Sequence, residues 1–267
     1  MLIPIDSLDD LRLDVYRRLK ERELARAGGR FIAEGEHVVR RLLKSRFETE
    51  SVLLAQRRVE QIAPLVPEHV PVYLVSNDLI RQVIGYKFHS GALACAKRGA
   101  RKTLDDVLPP AHEIQKPLTL LTCPDIANVA NIGGLVRIAA AFGCDAMVLG
   151  ERCHDPFFRQ SVRVSMGTIF TLPIVQSQNL ISDLQRLKSE WNVELIATVL
   201  DEKAEELSRV KRSDRVALLL GNEAQGLGEE FVSVCDRRVT IPMKLGTDSL
   251  NVMVAAGIFL YELTRSR

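Results

Sequence analysis

No apolar run in this sequence approaches the roughly 18 to 20 residues needed to span a bilayer, so a transmembrane protein is not expected. The first ten residues, Met1 to Asp10, carry acids and no basic segment leading into an apolar core, which removes a secretory leader. The chain therefore reads as cytoplasmic. Cysteine patterning is missing too. Cys95, Cys123, Cys144, Cys153 and Cys235 are odd in number, scattered, and include no Cys-x-x-Cys pair, so neither structural zinc nor a disulfide framework is expected. Cys153-His154-Asp155 has metal-ligand residue types, but nothing nearby completes a tetrahedral set. It reads as a polar loop after a strand, and no metal is expected.

A strong net charge is also absent, since 36 Lys and Arg face 34 Asp and Glu. The balance is uneven along the chain. Residues 1–104 hold 19 basic against 13 acidic residues, and the remainder holds 17 against 21. A basic first part joined to an acidic second part suits an RNA-binding module attached to a catalytic one, although a solvated basic helix face gives the same count.

At 267 residues the chain exceeds the usual size of a single core, and two domains are expected. Ser7 to Arg26 has helical periodicity with Ser7 as N-cap. Short apolar strands at Phe31–Ala33, Ser51–Ala55, Val72–Val75 and Ala92–Ala96 alternate with helices near His37–Lys44, Arg58–Leu65 and Asp78–Ile84, giving a small α/β domain over 1–104. The polar stretch Lys97 to Pro117, with Pro109-Pro110 inside, interrupts the periodicity and places a linker at 105–117.

From 118 to 267 the pattern resumes. Strands are expected at Leu118–Cys123, Ala146–Leu149, Glu194–Thr198, Val216–Leu220 and Arg238–Ile241, and helices at Ile132–Phe142, Phe157–Val164, Leu180–Trp191 and Leu250–Leu263. Nearly continuous apolar strands separated by helices predict a parallel sheet covered on both faces, with ligands beyond its carboxyl ends.

Three clusters stand at strand ends. In the first, Asn131-Ile132-Gly133-Gly134-Leu135-Val136-Arg137, Asn131 is a candidate helix cap and the glycines allow backbone N–H groups close to an anion. Arg137 lies on an otherwise apolar helix, where a buried ion pair or a snorkelling side chain is the structural alternative to a catalytic role. The second, Gly221-Asn222-Glu223-Ala224-Gln225-Gly226-Leu227-Gly228, follows a strand but lacks both the Lys-Ser/Thr ending of a P-loop and the dinucleotide glycine fingerprint. The third is Ile241-Pro242-Met243 followed by Ser249-Leu250-Asn251-Val252, with Ser249 a candidate cap for the last helix. That helix is apolar on almost every face, so its own core or a second subunit must cover it.

The order of the three clusters resembles the SpoU, or TrmH-like, branch of the SPOUT RNA methyltransferases over roughly residues 118–263. The Asn-x-Gly…Arg motif falls on Asn131, Gly133 and Arg137. The Gly-x-Glu…Gly motif falls on Gly221, Glu223 and Gly226. The Ile-Pro-Met…Ser-Leu-Asn-Val motif falls on Ile241 to Met243 and Ser249 to Val252. One departure is Asn128-Val129 where the family usually has Asp-Pro. Phe31 to Glu36 is similar to the ribosomal-protein-like RNA-binding domain that many members carry.

The resemblance implies a deep trefoil knot, which elementary topology would not suggest. It also implies transfer of a methyl group from S-adenosylmethionine to a ribose 2′-hydroxyl of structured RNA, rRNA before tRNA, by a homodimer. Thr198, Gly221, Ile241, Met243 and Leu250 are implicated in holding the cofactor. Asn131, Arg137, Glu223, Ser249 and Asn251 are implicated around the reacting methyl. The competing classes are a non-catalytic RNA-binding protein on the same fold and a nicotinamide-dependent enzyme, the latter disfavoured by the missing glycine fingerprint.

Overall fold

The structure is a computed structural model and describes residues 1–17, 29–84, 90–222, 225–244 and 249–265. Contacts divide the chain into two compact units, Met1–Ala100 with Pro156–Thr171, and Arg101–Asp155 with Leu172–Arg267.

The first unit is built on a mixed five-stranded sheet. Its strands are β1 (Leu2–Pro4), β2 (Arg30–Glu34), β3 (Thr49–Ala55), β4 (Val72–Val75) and β5 (Ala92–Lys97), in the order β1-β4-β3-β5-β2. β3 pairs parallel to β4 and antiparallel to β5, placing Val52 to Ala55 in the buried middle. Helices α1 (Glu36–Leu43), α2 (Val59–Ile62) and α3 (Asn77–Ile84) accompany it. α1 is amphipathic: Val38, Val39 and Leu42 are buried, while His37, Arg41 and Lys44, just past its end, are exposed.

The expected first helix is corrected by the structure. Leu11–Tyr16 forms a 3-10 helix, and its cap is Asp10, whose carboxylate accepts from the Arg12 N–H at 2.9 Å; Ser7 instead accepts from the Asp9 N–H. The stretch of the expected helix from residue 18 to Arg26 lies outside the described residues. The three-residue β1 was not expected.

The second unit is a seven-stranded parallel sheet. Its strands are β6 (Leu118–Cys123), β7 (Ala146–Leu149), β8 (Ile174–Gln176), β9 (Glu194–Thr198), β10 (Glu205–Glu206), β11 (Arg215–Leu219) and β12 (Arg237–Thr240), in the order β10-β12-β9-β11-β6-β7-β8. β6 is buried at every position, as a strand covered on both faces must be. In chain order the helices are α4 (Val129–Ala141), α5 (Arg159–Val164), α6 (Leu180–Trp191), α7 (Glu229–Val232) and α8 (Val252–Thr264).

α6 shows how sequence becomes packing. Asn179 caps it by accepting from the Ser182 N–H at 3.0 Å, and Asn192 closes it in the left-handed region at φ 53°. Leu180, Leu184, Leu187 and Trp191 fall on one face and are buried against β6, β9 and β11. Such burial stabilises by about 1.5–3 kcal/mol per large apolar side chain. Leu108, within the connection expected at 105–117, and Leu104 just before it are buried in the same core, and the Trp191 indole N–H donates to the Pro109 carbonyl at 2.9 Å. Arg215 secures the next turn by donating to the carbonyls of Ala111 and Ile114.

α5 and its flanks belong by contacts to the first unit, although they lie in sequence between β7 and β8. Two features explain this. Phe31, Phe47, Phe157 and Phe170 pack with ring centroids 5.2–5.7 Å apart. Beside them the Arg159 guanidinium donates to the Glu34 carboxylate at 2.7 Å, with both side chains nearly inaccessible to solvent. Glu34 therefore lies inside its unit, bound also by Arg163 at 3.2 Å.

Candidate active site

The carboxyl ends of β9, β11 and β12 open onto a cleft of about 430 Å³ in the second unit, a size typical of small-molecule sites. Residues far apart in sequence converge there. Thr198 arrives at the end of β9, Gly221 after β11, Ile241 and Met243 after β12, and Ser249 and Leu250 just before α8. The Thr198 hydroxyl donates to the Leu219 carbonyl at 2.9 Å, tying the ends of two neighbouring strands together.

Gly221 is required by close approach. A Cβ there would lie 2.2 Å from the Gly226 carbonyl carbon and 2.3 Å from the Leu227 nitrogen, which are backbone atoms that cannot swing aside. The loop is closed by paired backbone hydrogen bonds between Asn222 and Gly226, with Gly226 at φ +69°. Sequence reasoning missed part of the lining. Val252, Ala255 and Phe259 fall on one face of α8 and form a wall of the cleft. Their i, i+3, i+7 spacing was a signal that could have found them.

The remaining candidates divide. Asn251 is the cap of α8, accepting from the Met253 N–H at 2.9 Å; Ser249, expected as that cap, lines the cleft instead. Asn131 is likewise not the cap of α4. Asn128 is, accepting from the Ala130 N–H at 2.8 Å and the Asn131 N–H at 3.4 Å, while Asn131 is buried in the first turn. The Asn128-Val129 departure thus keeps a capping side chain followed by the first helical residue. The glycines of this motif serve packing: a Cβ at Gly134 would meet the Met253 sulfur at 1.9 Å, so α4 and α8 approach closely there.

Arg137 lies further along α4, solvent-exposed and without an ion pair to any described residue. The buried-pair alternative does not hold. Glu223 lies outside the described residues. Asn131, Arg137 and Asn251 are not among the residues lining the cleft: Asn131 and Arg137 stand on α4, which packs against α8, and Asn251 caps α8, one face of which lines the cleft.

Cysteine chemistry is not favoured. Burial pushes the Cys153 and Cys235 thiols up to about 12, leaving little thiolate at neutral pH. Cys153 is a loop staple whose sulfur donates to the Cys123 carbonyl at 3.0 Å and accepts from the Ile126 N–H at 3.3 Å. Among the described residues no helix is long and apolar enough to cross a membrane.

A parallel sheet with a cleft at its carboxyl ends defines an α/β protein that takes a small ligand at its strand termini. Comparison with known proteins then gives the family. Residues 119–261 match the SpoU rRNA Methylase family and residues 14–93 match an MRM3-like substrate binding domain. The chain belongs to the SpoU rRNA methylase family.

It is 35% identical over 267 residues, 97% of this chain and 90% of the relative, to a Mycobacterium tuberculosis protein named as an uncharacterized tRNA/rRNA methyltransferase. It is 31% identical over 244 residues, 87% of this chain and 96% of the relative, to the 23S rRNA (guanosine-2'-O-)-methyltransferase RlmB of Acinetobacter baylyi. Among solved structures, the AdoMet-bound rRNA methyltransferase of Sinorhizobium meliloti matches with a TM-score of 0.86 at 26% identity, over 99% of this chain and 98% of that one.

Proposed function

We propose that the protein transfers a methyl group from S-adenosylmethionine to a ribose 2′-hydroxyl of ribosomal RNA. The observation that carries this reading is the convergence of Thr198, Gly221, Ile241, Met243 and Leu250 on one cleft, in a chain of this family. The cleft fits such a cofactor: its walls are mostly apolar, and at Gly221 the backbone is bare, so a ligand can meet it directly. Relatives named for 23S rRNA 2′-O-methylation support rRNA over tRNA. The knot implied by the resemblance belongs to the same proposal. Residues 223–224 and 245–248, in the loops after β11 and β12, lie outside the described ones.

S-adenosylmethionine, when bound, supplies an electrophilic methyl group. The protein's share is to align the ribose oxygen and stabilise it as its proton leaves, and orientation of this kind is worth several kcal/mol. Arg137 is the charged group for that task. A guanidinium is too weak an acid to act as a proton acceptor near neutrality, so its role is that of a fixed cation, clamping a phosphate and stabilising the developing alkoxide. Asn131, Ser249, Asn251 and Glu223 order Arg137 or the ribose. Residues 1–104 supply RNA contacts, and 118–267, joined by 105–117, supply the chemistry.

The active form is a homodimer. Val254, Ile258 and Tyr261, at i, i+4 and i+7 on α8, are 51%, 41% and 58% exposed, an apolar face suited to a second copy. Sedimentation of a fully active monomer at micromolar concentration would rule this out. The cofactor assignment is tested by calorimetry with S-adenosylmethionine and NAD as separate titrants. Binding of the first alone is expected; binding of NAD alone, or of neither, would overturn the assignment.

A further inference from the structure

We propose that the solvent face of α1 is a docking site for the phosphodiester backbone of the RNA, a statement that rests on the reading of RNA as substrate. His37, Arg40, Arg41 and Lys44 lie at i, i+3, i+4 and i+7, the spacing that puts four side chains on one helix face. With Met166 they line a concavity of about 270 Å³ within the first unit. At 1.5 Å per residue the row extends about 10 Å, enough for more than one phosphate along a strand.

The face is built and not merely charged. The Arg41 guanidinium donates to the Met166 carbonyl at 2.7 Å, and a Cβ at Gly167 would lie 3.1 Å from the Arg41 Cβ and Cδ. Its aliphatic stem thus lies along a turn where Gly167 has φ +84°, while most of its five N–H donors remain available. Arg40 is steadied by Glu36 at 3.1 Å and by donating to the Gln61 carbonyl at 2.8 Å. Arg41 and Lys44 have no ion-pair partner among the described residues. A pre-ordered guanidinium beside a free ammonium matches the oxygen fork of a phosphate. An acidic protein segment is the poorer fit, because protein interfaces depend on buried apolar anchors and only Met166 here is apolar.

The test is fluorescence anisotropy on the full chain with a labelled RNA stem-loop and, separately, a labelled poly-glutamate peptide, over a range of salt. Variants are Lys44→Glu and the pair Arg41→Gln with Lys44→Gln. Thermal midpoints and S-adenosylmethionine affinity are measured on the same preparations. The proposal expects the double variant to bind RNA about tenfold more weakly near physiological salt, with the slope of log K against log salt flattened by about one per lost phosphate contact. Thermal midpoint and cofactor affinity should stay at wild-type levels. If Arg41→Gln disturbs folding through its packed stem, Lys44→Glu alone, at an exposed position, carries the test.

Unchanged RNA affinity and slope in folded variants would overturn the proposal. So would loss of poly-glutamate binding with RNA binding intact, which would identify a protein partner. Wild type that binds RNA through these residues, yet binds no S-adenosylmethionine, would remove the methyltransferase reading and leave this site standing.

Discussion

Two arginines, one in each unit, show how differently the two halves of the molecule use charge. Arg159 is enclosed by the first unit and bonded to the Glu34 carboxylate, so its charge is consumed in holding Pro156–Thr171 against β2. Arg137 stands on an apolar helix of the second unit, exposed and without an ion pair to a described residue. The contrast separates a residue whose charge is used within its own unit from one that stays exposed, with no ion pair among the described residues.

The largest expected effect sharpens that contrast. Arg137→Ala should lower the methylation rate by about 10²–10³-fold, the usual cost of losing one group that stabilises a developing oxyanion. Cofactor affinity by calorimetry and the thermal midpoint should hardly move. Arg137→Lys keeps the charge without the planar fork and should recover a measurable minority of the rate, flat with pH. A Lys variant whose rate climbs with pH along an amine titration, while wild type stays flat, would show that a neutral base is needed.

Arg159→Met is the converse case. It should leave cofactor binding close to normal but lower the unfolding free energy by about 3 kcal/mol, the lower end for breaking a buried pair, since Arg163 still reaches Glu34. Chemical denaturation checks this, and adding Glu34→Gln should restore part of the loss because a buried carboxylate left with only Arg163 as ion-pair partner is gone. A single variant as stable as wild type would mean that the pair is not what secures this segment.

The smallest effect concerns the start of α4. Asn128→Ala removes the acceptor of two N–H groups and should cost about 1 kcal/mol, whereas Asn128→Asp should be near neutral. Thermal melts of both resolve the difference. A loss of methylation without a loss of stability would give Asn128 a role beyond the cap.

Much of this was legible before any coordinates. β4, β6, β7, β9 and α6 run where their apolar pattern places them: short apolar runs mark the strands, and Leu180, Leu184, Leu187 and Trp191 recur at helical spacing along α6. The caps were displaced by a few residues, from Asn131 to Asn128 and from Ser249 to Asn251, since neighbouring polar residues have nearly equal capping preference. β1, β8 and β10 went unseen because strands of two or three residues carry no period.

The allegiance of Pro156–Thr171 was invisible for a different reason. It depends on Phe31 and Phe47 meeting Phe157 and Phe170, and on Glu34 meeting Arg159, more than a hundred residues apart. A cut after Ala100 would strip those partners away, so deleting residues 1–104 is not a clean removal of one domain. In the candidate site, the motif residues lining the cleft were named from family resemblance. The wall made by Val252, Ala255 and Phe259, and the exposure of Arg137, required the packing of α8 and α4.

The most direct test of methyl transfer to rRNA is to incubate the protein with methyl-labelled S-adenosylmethionine and unmodified rRNA, then digest with alkali and map the label. The account predicts label in alkali-resistant dinucleotides, which only a 2′-O-methyl group produces, and its absence with Arg137→Ala. Label confined to bases, or cofactor binding with no transfer to rRNA under conditions where RNA is bound, would contradict it.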